Sequence, residues 1–349
     1  MKIGLVIYGS LDTLSGGYMY DRRLVDYLRA QGDMVEIISL PWRNYASHLI
    51  DNFSFKLPAN LDILIQDELN HPSLITANRY PPPYPIISLV HHLRYSELRP
   101  KWQNAFYRII EKKYLQSVDG FIFNSQTTRN VVNGLTNHDK PFVVAYPPTD
   151  RFGNAISEKE IQQRSKKKEL RILFLGNLIE RKGLHTLLEA IRSLPHSNFQ
   201  LDIVGSLTSE PKYVKQIQEF ITKNHLSSFI FLHSSLNNQP LIDKLKSAHV
   251  LVVPSSYEGF GIVYLEGMCF GLPAIGTTSG AAGEIIEDGV TGYLIQPGDA
   301  QGLANRLEVL NERRDLLVQM SLAARNRYLR QPKWDETASQ IREFLRSFL

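Results

Sequence analysis

The chain is poor in the features that mark several large classes of protein. It has one cysteine in 349 residues, Cys269, so no internal disulfide can form. The flanking Met268 and Phe270 suggest a buried structural thiol and a reducing compartment. No uninterrupted apolar run approaches the roughly 18 residues of a membrane-spanning helix, and the first residues, Lys2-Ile3-Gly4-Leu5-Val6-Ile7, read as a strand rather than a signal sequence. The expected location is therefore cytoplasmic, with contact at the inner face of a membrane left open. The net charge is only +4, and most basic residues have acids nearby, so nucleic acid is not an expected partner. No Asp-x-Asp closes a strand and the histidines form no ligand cluster in sequence, so no metal is called. No Gly-x-Gly-x-x-Gly follows the first strand, which argues against a nicotinamide enzyme.

What is present is an ordinary soluble composition, 43% hydrophobic and 21% charged, arranged as short apolar runs alternating with amphipathic stretches. Runs at 3–8, 34–40, 61–65, 86–90 and 120–123 predict parallel strands. Between them lie helices such as Tyr18 to Ala30 and Trp102 to Leu115. After a proline-rich and then charged break, a second series follows at 172–175, 201–204, 229–232, 250–253 and 274–276. The reading is α/β, with two Rossmann-like, doubly wound parallel-sheet domains: a first domain over 1–150, a linker over 151–168, and a second domain over 169–325. A helix in 326–349 is read as packing back on the first domain. Between Arg94 and Lys113, six basic residues interleave with Trp102, Phe106, Tyr107, Ile109 and Ile110. Two readings stand, a solvated helix face or an interfacial helix facing anionic lipid.

The chemistry concentrates after two strands. Gly176-Asn177-Leu178-Ile179-Glu180-Arg181-Lys182-Gly183 puts two cations at a strand-to-helix junction. Such a pair suits a diphosphate that gains charge as a bond to it breaks. Glu258-Gly259-Phe260-Gly261-Ile262-Val263-Tyr264-Leu265-Glu266 follows the run ending in Val253-Pro254. Its two carboxylates can accept hydrogen bonds from hydroxyls, and its glycines let backbone N–H groups approach a phosphate closely.

These segments, with Gly-Leu-Pro at 271–273, Gly-Glu-Ile-Ile at 283–286 and Asp-Gly-x-x-Gly-Tyr-Leu at 288–294, resemble the retaining GT-B glycosyltransferases of family 4. The resemblance covers nearly the whole second domain and the first more loosely. It implies two domains facing a cleft and a nucleotide sugar such as a UDP-, GDP- or ADP-sugar as donor, with no cofactor. A carbohydrate or glycolipid hydroxyl would be the acceptor. It implies that Arg181 and Lys182 hold the diphosphate, Glu258 the transferred sugar and Glu266 the ribose. Asn177, Phe260, Gly261 and Ile262 would add donor contacts, and Gly16-Gly17 would form the first donor loop. His91 would meet the transferring sugar, with His92 in the place of a usual aspartate. Asn124 and Ser125 would lie beside the acceptor, or simply cap a helix. Retention by front-face attack is implied, without a protein nucleophile. Two other readings remain: a GT-B-type sugar-nucleotide epimerase, whose own acid and base are not visible here, and a non-catalytic sugar-nucleotide-binding subunit.

Overall fold

The computed structural model describes residues 1–13, 15–80, 82–136, 139–148, 150–194, 198–237 and 239–349. It divides into two compact units, Met1–Pro148 with Pro332–Leu349, and Thr149–Gln331.

In the first unit the strands are β1 (Lys2–Tyr8), β2 (Met34–Leu40), β3 (Ile63–Asp67), β4 (Ile86–Val90), β5 (Gly120–Phe123) and β6 (Phe142–Val144). They form one parallel sheet in the order β2-β1-β3-β4-β5-β6. Alternation along each strand builds two apolar layers. Ile3, Leu5, Ile7, Ile63, Ile65, Ile87, Leu89 and Ile122 face one layer, while Val6, Leu64, Ile86, Val90, Phe121 and Phe123 face the other. A strand covered on both faces must be apolar at successive positions, which is why these segments read as continuous runs. The first layer is closed by the helix Gly16–Ala30, through Tyr20, Leu24 and Leu28, and by the helix Trp334–Arg346, through Trp334, Ala338, Ile341 and Leu345. Arg342 fixes that second helix by donating to Asp33 at 2.6 Å.

The second unit repeats the plan with β7 (Leu170–Leu175), β8 (Phe199–Val204), β9 (Ile230–His233), β10 (Val250–Val252), β11 (Ala274–Thr277) and β12 (Gly292–Ile295). The order is β12-β11-β10-β7-β8-β9, again parallel. Strands β6 and β12 were not among the sequence-predicted runs. The first is three residues long, and the second begins at a glycine inside a segment read as a motif. The stretch read as a linker, 151–168, carries the helix Glu158–Ser165, opened by a Ser157–Glu160 capping box. Its Ile161 is buried, and its buried Arg164 donates to the carbonyls of Phe270 and Gly271 at 2.8 Å each, so the segment is built into the second unit. Its polar sequence hid this because only one face of a two-turn helix is covered. Among the described residues no helix is long and apolar enough to cross a membrane.

Ile341, fully buried against the first layer, gives a test of the returning helix. Ile341→Ala is expected to lower stability by about 2–5 kcal/mol, measured by denaturant unfolding followed by circular dichroism. An unchanged midpoint would mean that this helix adds nothing to the core.

Candidate functional site

In each sheet one pair of neighbouring strands marks where the winding reverses, and ligands of open α/β sheets collect outside the carboxyl ends of those strands. In the second unit the pair is β7 and β10. The segment after β7 carries Gly176, Asn177, Arg181 and Lys182, and the segment after β10 carries Ser255, Glu258, Phe260 and Gly261. The two segments touch. Ser256 N–H donates to the Arg181 carbonyl at 2.8 Å, and Arg181 Nη1 donates to the Tyr257 carbonyl at 2.7 Å. Gly183 makes this approach possible. Its φ is 70°, and a Cβ there would lie 2.1 Å from the Pro254 carbonyl oxygen.

The meeting brings Lys182 and Glu258 together although 76 positions separate them, with Nζ 2.5 Å from Oε1. Ser255 Oγ donates to the same oxygen at 2.6 Å. Burial pushes the Glu258 carboxyl up, but the charges of Lys182 and Arg181 and the hydrogen bonds from Lys182 and Ser255 outweigh it and hold the group below the ordinary carboxylate range. Glu258 is thus an ionised acceptor. Two cations meet at this one buried carboxylate, a pair of donors suited to an anion.

Gly261, at φ 93°, opens the helix Ile262–Cys269, whose residues are apolar all round except Glu266. A helix without a polar face must be buried, and Glu266 is only 3% exposed. Its partner is Arg151, Nη1 to Oε1 at 2.8 Å, a residue that sequence reading missed because the pair spans 115 positions. Burial keeps Glu266 above its ordinary value, with Arg151 pulling the other way. Phe260 is buried and Ile262 half-buried beside it. Cys269 is buried and in no disulfide.

In the first unit the reversal falls between β1 and β3. The helix that follows β1 starts at Gly16-Gly17, capped by Ser15, whose Oγ accepts from Tyr18 N–H at 3.2 Å. Four residues on, fully buried Asp21 Oδ1 accepts from His91 Nε2 at 3.0 Å. Asp67, at the end of β3, completes a group whose ligating atoms lie within 4.8 Å of one another. Burial alone would push His91 down. The charge and hydrogen bond of Asp21, then the charges of Asp67 and Glu68, outweigh it and raise the imidazole to about 9. The two acids and the imidazole compensate one another's charge. Asp21 and Asp67 carry no sequence signal, since nothing in the chain order shows which acids will face a histidine.

Around His91 the other predicted residues have structural work. Asn124 Nδ2 donates to the His91 carbonyl at 2.8 Å, and Ser125 Oγ accepts from Thr128 N–H at 3.0 Å, a helix N-cap. His92 lies 3.1 Å from Glu97. Gly17 backs onto the His91 ring, 3.3 Å from where its Cβ would stand.

Residues 156–327 match the family model described as glycosyl transferases group 1. Over 144 residues the chain is 35% identical to an uncharacterized glycosyltransferase of Methanocaldococcus jannaschii, covering 40% of this chain and 38% of that one. The chain spans between 38% and 59% of the length of the first curated relatives that it matches. Among solved structures, the sucrose-phosphate synthase of Thermosynechococcus elongatus superposes with a TM-score of 0.82 at 19% identity, covering 99% of this chain and 98% of that one. Anabaena HepE in complex with UDP-glucose gives 0.77 at 19% identity, covering 99% of this chain and all of that one. At such identities the likeness is one of fold, and that fold is the expected GT-B pair of parallel-sheet units.

Asp21→Asn is expected to bring the His91 titration midpoint down from about 9 to 6.5 or lower. A group raised in the folded chain adds stability that is full below pH 6.5 and is lost as pH rises through about 9, so the variant should also flatten stability across that window. NMR titration of the imidazole and denaturation at several pH values check both. A His91 midpoint that stays near 9 would remove Asp21 as its partner.

Proposed function

We propose, since this chain belongs to the glycosyl transferases group 1, that it is a retaining glycosyltransferase that moves a hexosyl or related group from a nucleoside-diphosphate sugar to an acceptor hydroxyl without a metal ion. The observation that carries the reading is the meeting of Lys182, Arg181 and Glu258 across the reversal of the second sheet. The HepE structure with UDP-glucose supports a donor of this class, as a property of that neighbour.

Each residue then has a task. Arg181 and Lys182 face the diphosphate, whose charge grows as the bond from the anomeric carbon to its oxygen breaks. The acceptor oxygen forms the new bond on the same face, and the departing phosphate oxygen takes the acceptor proton. No protein nucleophile is involved, and Glu258, kept ionised, accepts hydrogen bonds from hydroxyls of the transferred sugar. Lys182 turns part of its attraction from Glu258 to the incoming phosphates, so the ion pair serves as a neutralised store of positive charge until the donor arrives. Glu266 accepts from the ribose hydroxyls beside Arg151, and the first backbone amides after Gly261 meet the phosphates. A carbohydrate or glycolipid hydroxyl is the acceptor class.

Incubation with a panel of UDP-, GDP- and ADP-sugars, read for transfer and slow donor hydrolysis, tests the reading. Donor epimerisation, or binding without turnover, would replace it with an epimerase or a binding subunit. Lys182→Ala should lower kcat by about 10²–10³ in protein that circular dichroism shows to be folded, because the lost charge acts mainly in the transition state. Near-parental turnover would remove the diphosphate role. Glu266→Gln should weaken nucleotide binding about tenfold in calorimetry, through loss of charge-assisted hydrogen bonds. Unchanged affinity would place the ribose elsewhere.

A further inference from the structure

The helix Lys101–Gln116 in the first unit divides its residues in a way that the proposed reaction does not require. Its only acid, Glu111, is fully buried and accepts from the backbone N–H groups of Arg94 at 2.5 Å and Tyr95 at 3.2 Å. Tyr114 and Leu115 are buried as well, and Tyr107 is held on the inner side by Tyr45, ring centroids 4.8 Å apart, and by Arg94, 4.8 Å from its ring. The inward face is therefore complete, with its own acid and its own aromatic anchors.

The outward face is apolar where a solvated helix would be polar. Trp102 is 72% exposed, Phe106 44% and Ile109 57%. At about 3.6 residues per turn these three and Lys113 fall on one line along the helix. Leu98, just before the helix, is 72% exposed too. Beside that line stand Lys101, Arg108 and Lys112, and these three and Lys113 are all exposed, none with a carboxylate partner among the described residues. Arg94 and Arg99, which sequence reading grouped with them, are turned to other work, Arg94 on the tyrosines and Arg99 on Glu97. Four basic residues and one buried acid give this helix three of the four net positive charges of the whole chain. Large apolar side chains in line, flanked by unpaired cations and free of exposed acid, match a surface that is negative on top and apolar beneath. A protein partner would supply carboxylates but no reason for an exposed apolar row with lysines beside it at headgroup reach.

We infer that the outer face of the helix Lys101–Gln116 docks on an anionic lipid bilayer, with Trp102, Phe106 and Ile109 entering the headgroup boundary and Lys101, Arg108, Lys112 and Lys113 meeting lipid phosphates. The inference stands independently of the glycosyl-transfer reading, since it uses no residue assigned to the donor.

Flotation of the full chain with vesicles of phosphatidylcholine alone, and of phosphatidylcholine mixed with phosphatidylglycerol, tests it. The parent should float with the anionic vesicles and not the neutral ones, and high salt should release it. Trp102→Glu with Ile109→Glu, and separately Lys112→Glu with Lys113→Glu, should each lower the partition by about tenfold or more, with melting curves matching the parent. The tryptophan emission should shift to the blue on binding, and Trp102→Phe should remove that shift. Absence of flotation, equal flotation with neutral vesicles, or undiminished flotation of both charge-reversed forms would overturn the inference. So would a lipid-free dimer that Trp102→Glu converts to monomer, because a second copy would then cover the face.

Discussion

Parallel strands cannot be joined by tight turns. Each must hand the chain to a crossover that returns along the outside of the sheet, so every strand leaves its sheet at the same edge. Nearly everything else in this molecule follows from that rule. It buries both faces of each sheet and so demands the unbroken aliphatic runs. It also collects the outgoing segments at one edge, where Lys182 meets Glu258 across 76 positions and His91 meets Asp21 across 70. Neither meeting needs a special loop fold beyond the glycine that lets two segments touch.

The two site carboxylates of the second unit, Glu258 and Glu266, are buried with cations, and this combination has an energetic meaning. A buried ion pair gains little net stability once the cost of stripping water from both charges is counted. Lys182–Glu258 and Arg151–Glu266 are therefore poor candidates for stabilising devices. Under the proposed function they are charges placed in advance of a ligand, each kept tolerable by a partner that can be shared when phosphate or hydroxyl arrives. The first unit uses the same economy with the opposite excess, several acids around one protonated imidazole.

How much of this was legible before the structure depends on distance along the chain. Strands such as 86–90 and 250–253 announced themselves because burial on both faces leaves almost no polar position, Ser88 being the exception in these two. The three-residue β6 and the glycine-started β12 were too short to do so. The helix Glu158–Ser165 was hidden by composition, since one isoleucine and an arginine stem are all that it buries. In the site, Arg181, Lys182 and Glu258 could be named because local sequence fixes each on a strand-to-helix junction. Asp21, Asp67 and Arg151 could not, because their roles arise only from which junctions become neighbours. Ser125 was read as lying beside the acceptor or capping a helix, and its hydroxyl does cap one.

The first unit is discontinuous. Its inner apolar layer is finished by Trp334, Ala338, Ile341 and Leu345, which the ribosome makes after the whole of the second unit. During synthesis the amino-terminal sheet must wait with one face incompletely covered while residues 149–331 emerge and close on themselves. The unit encoded first is thus the unit completed last, and a nascent chain halted before residue 332 would present a partly covered aliphatic sheet face to chaperones.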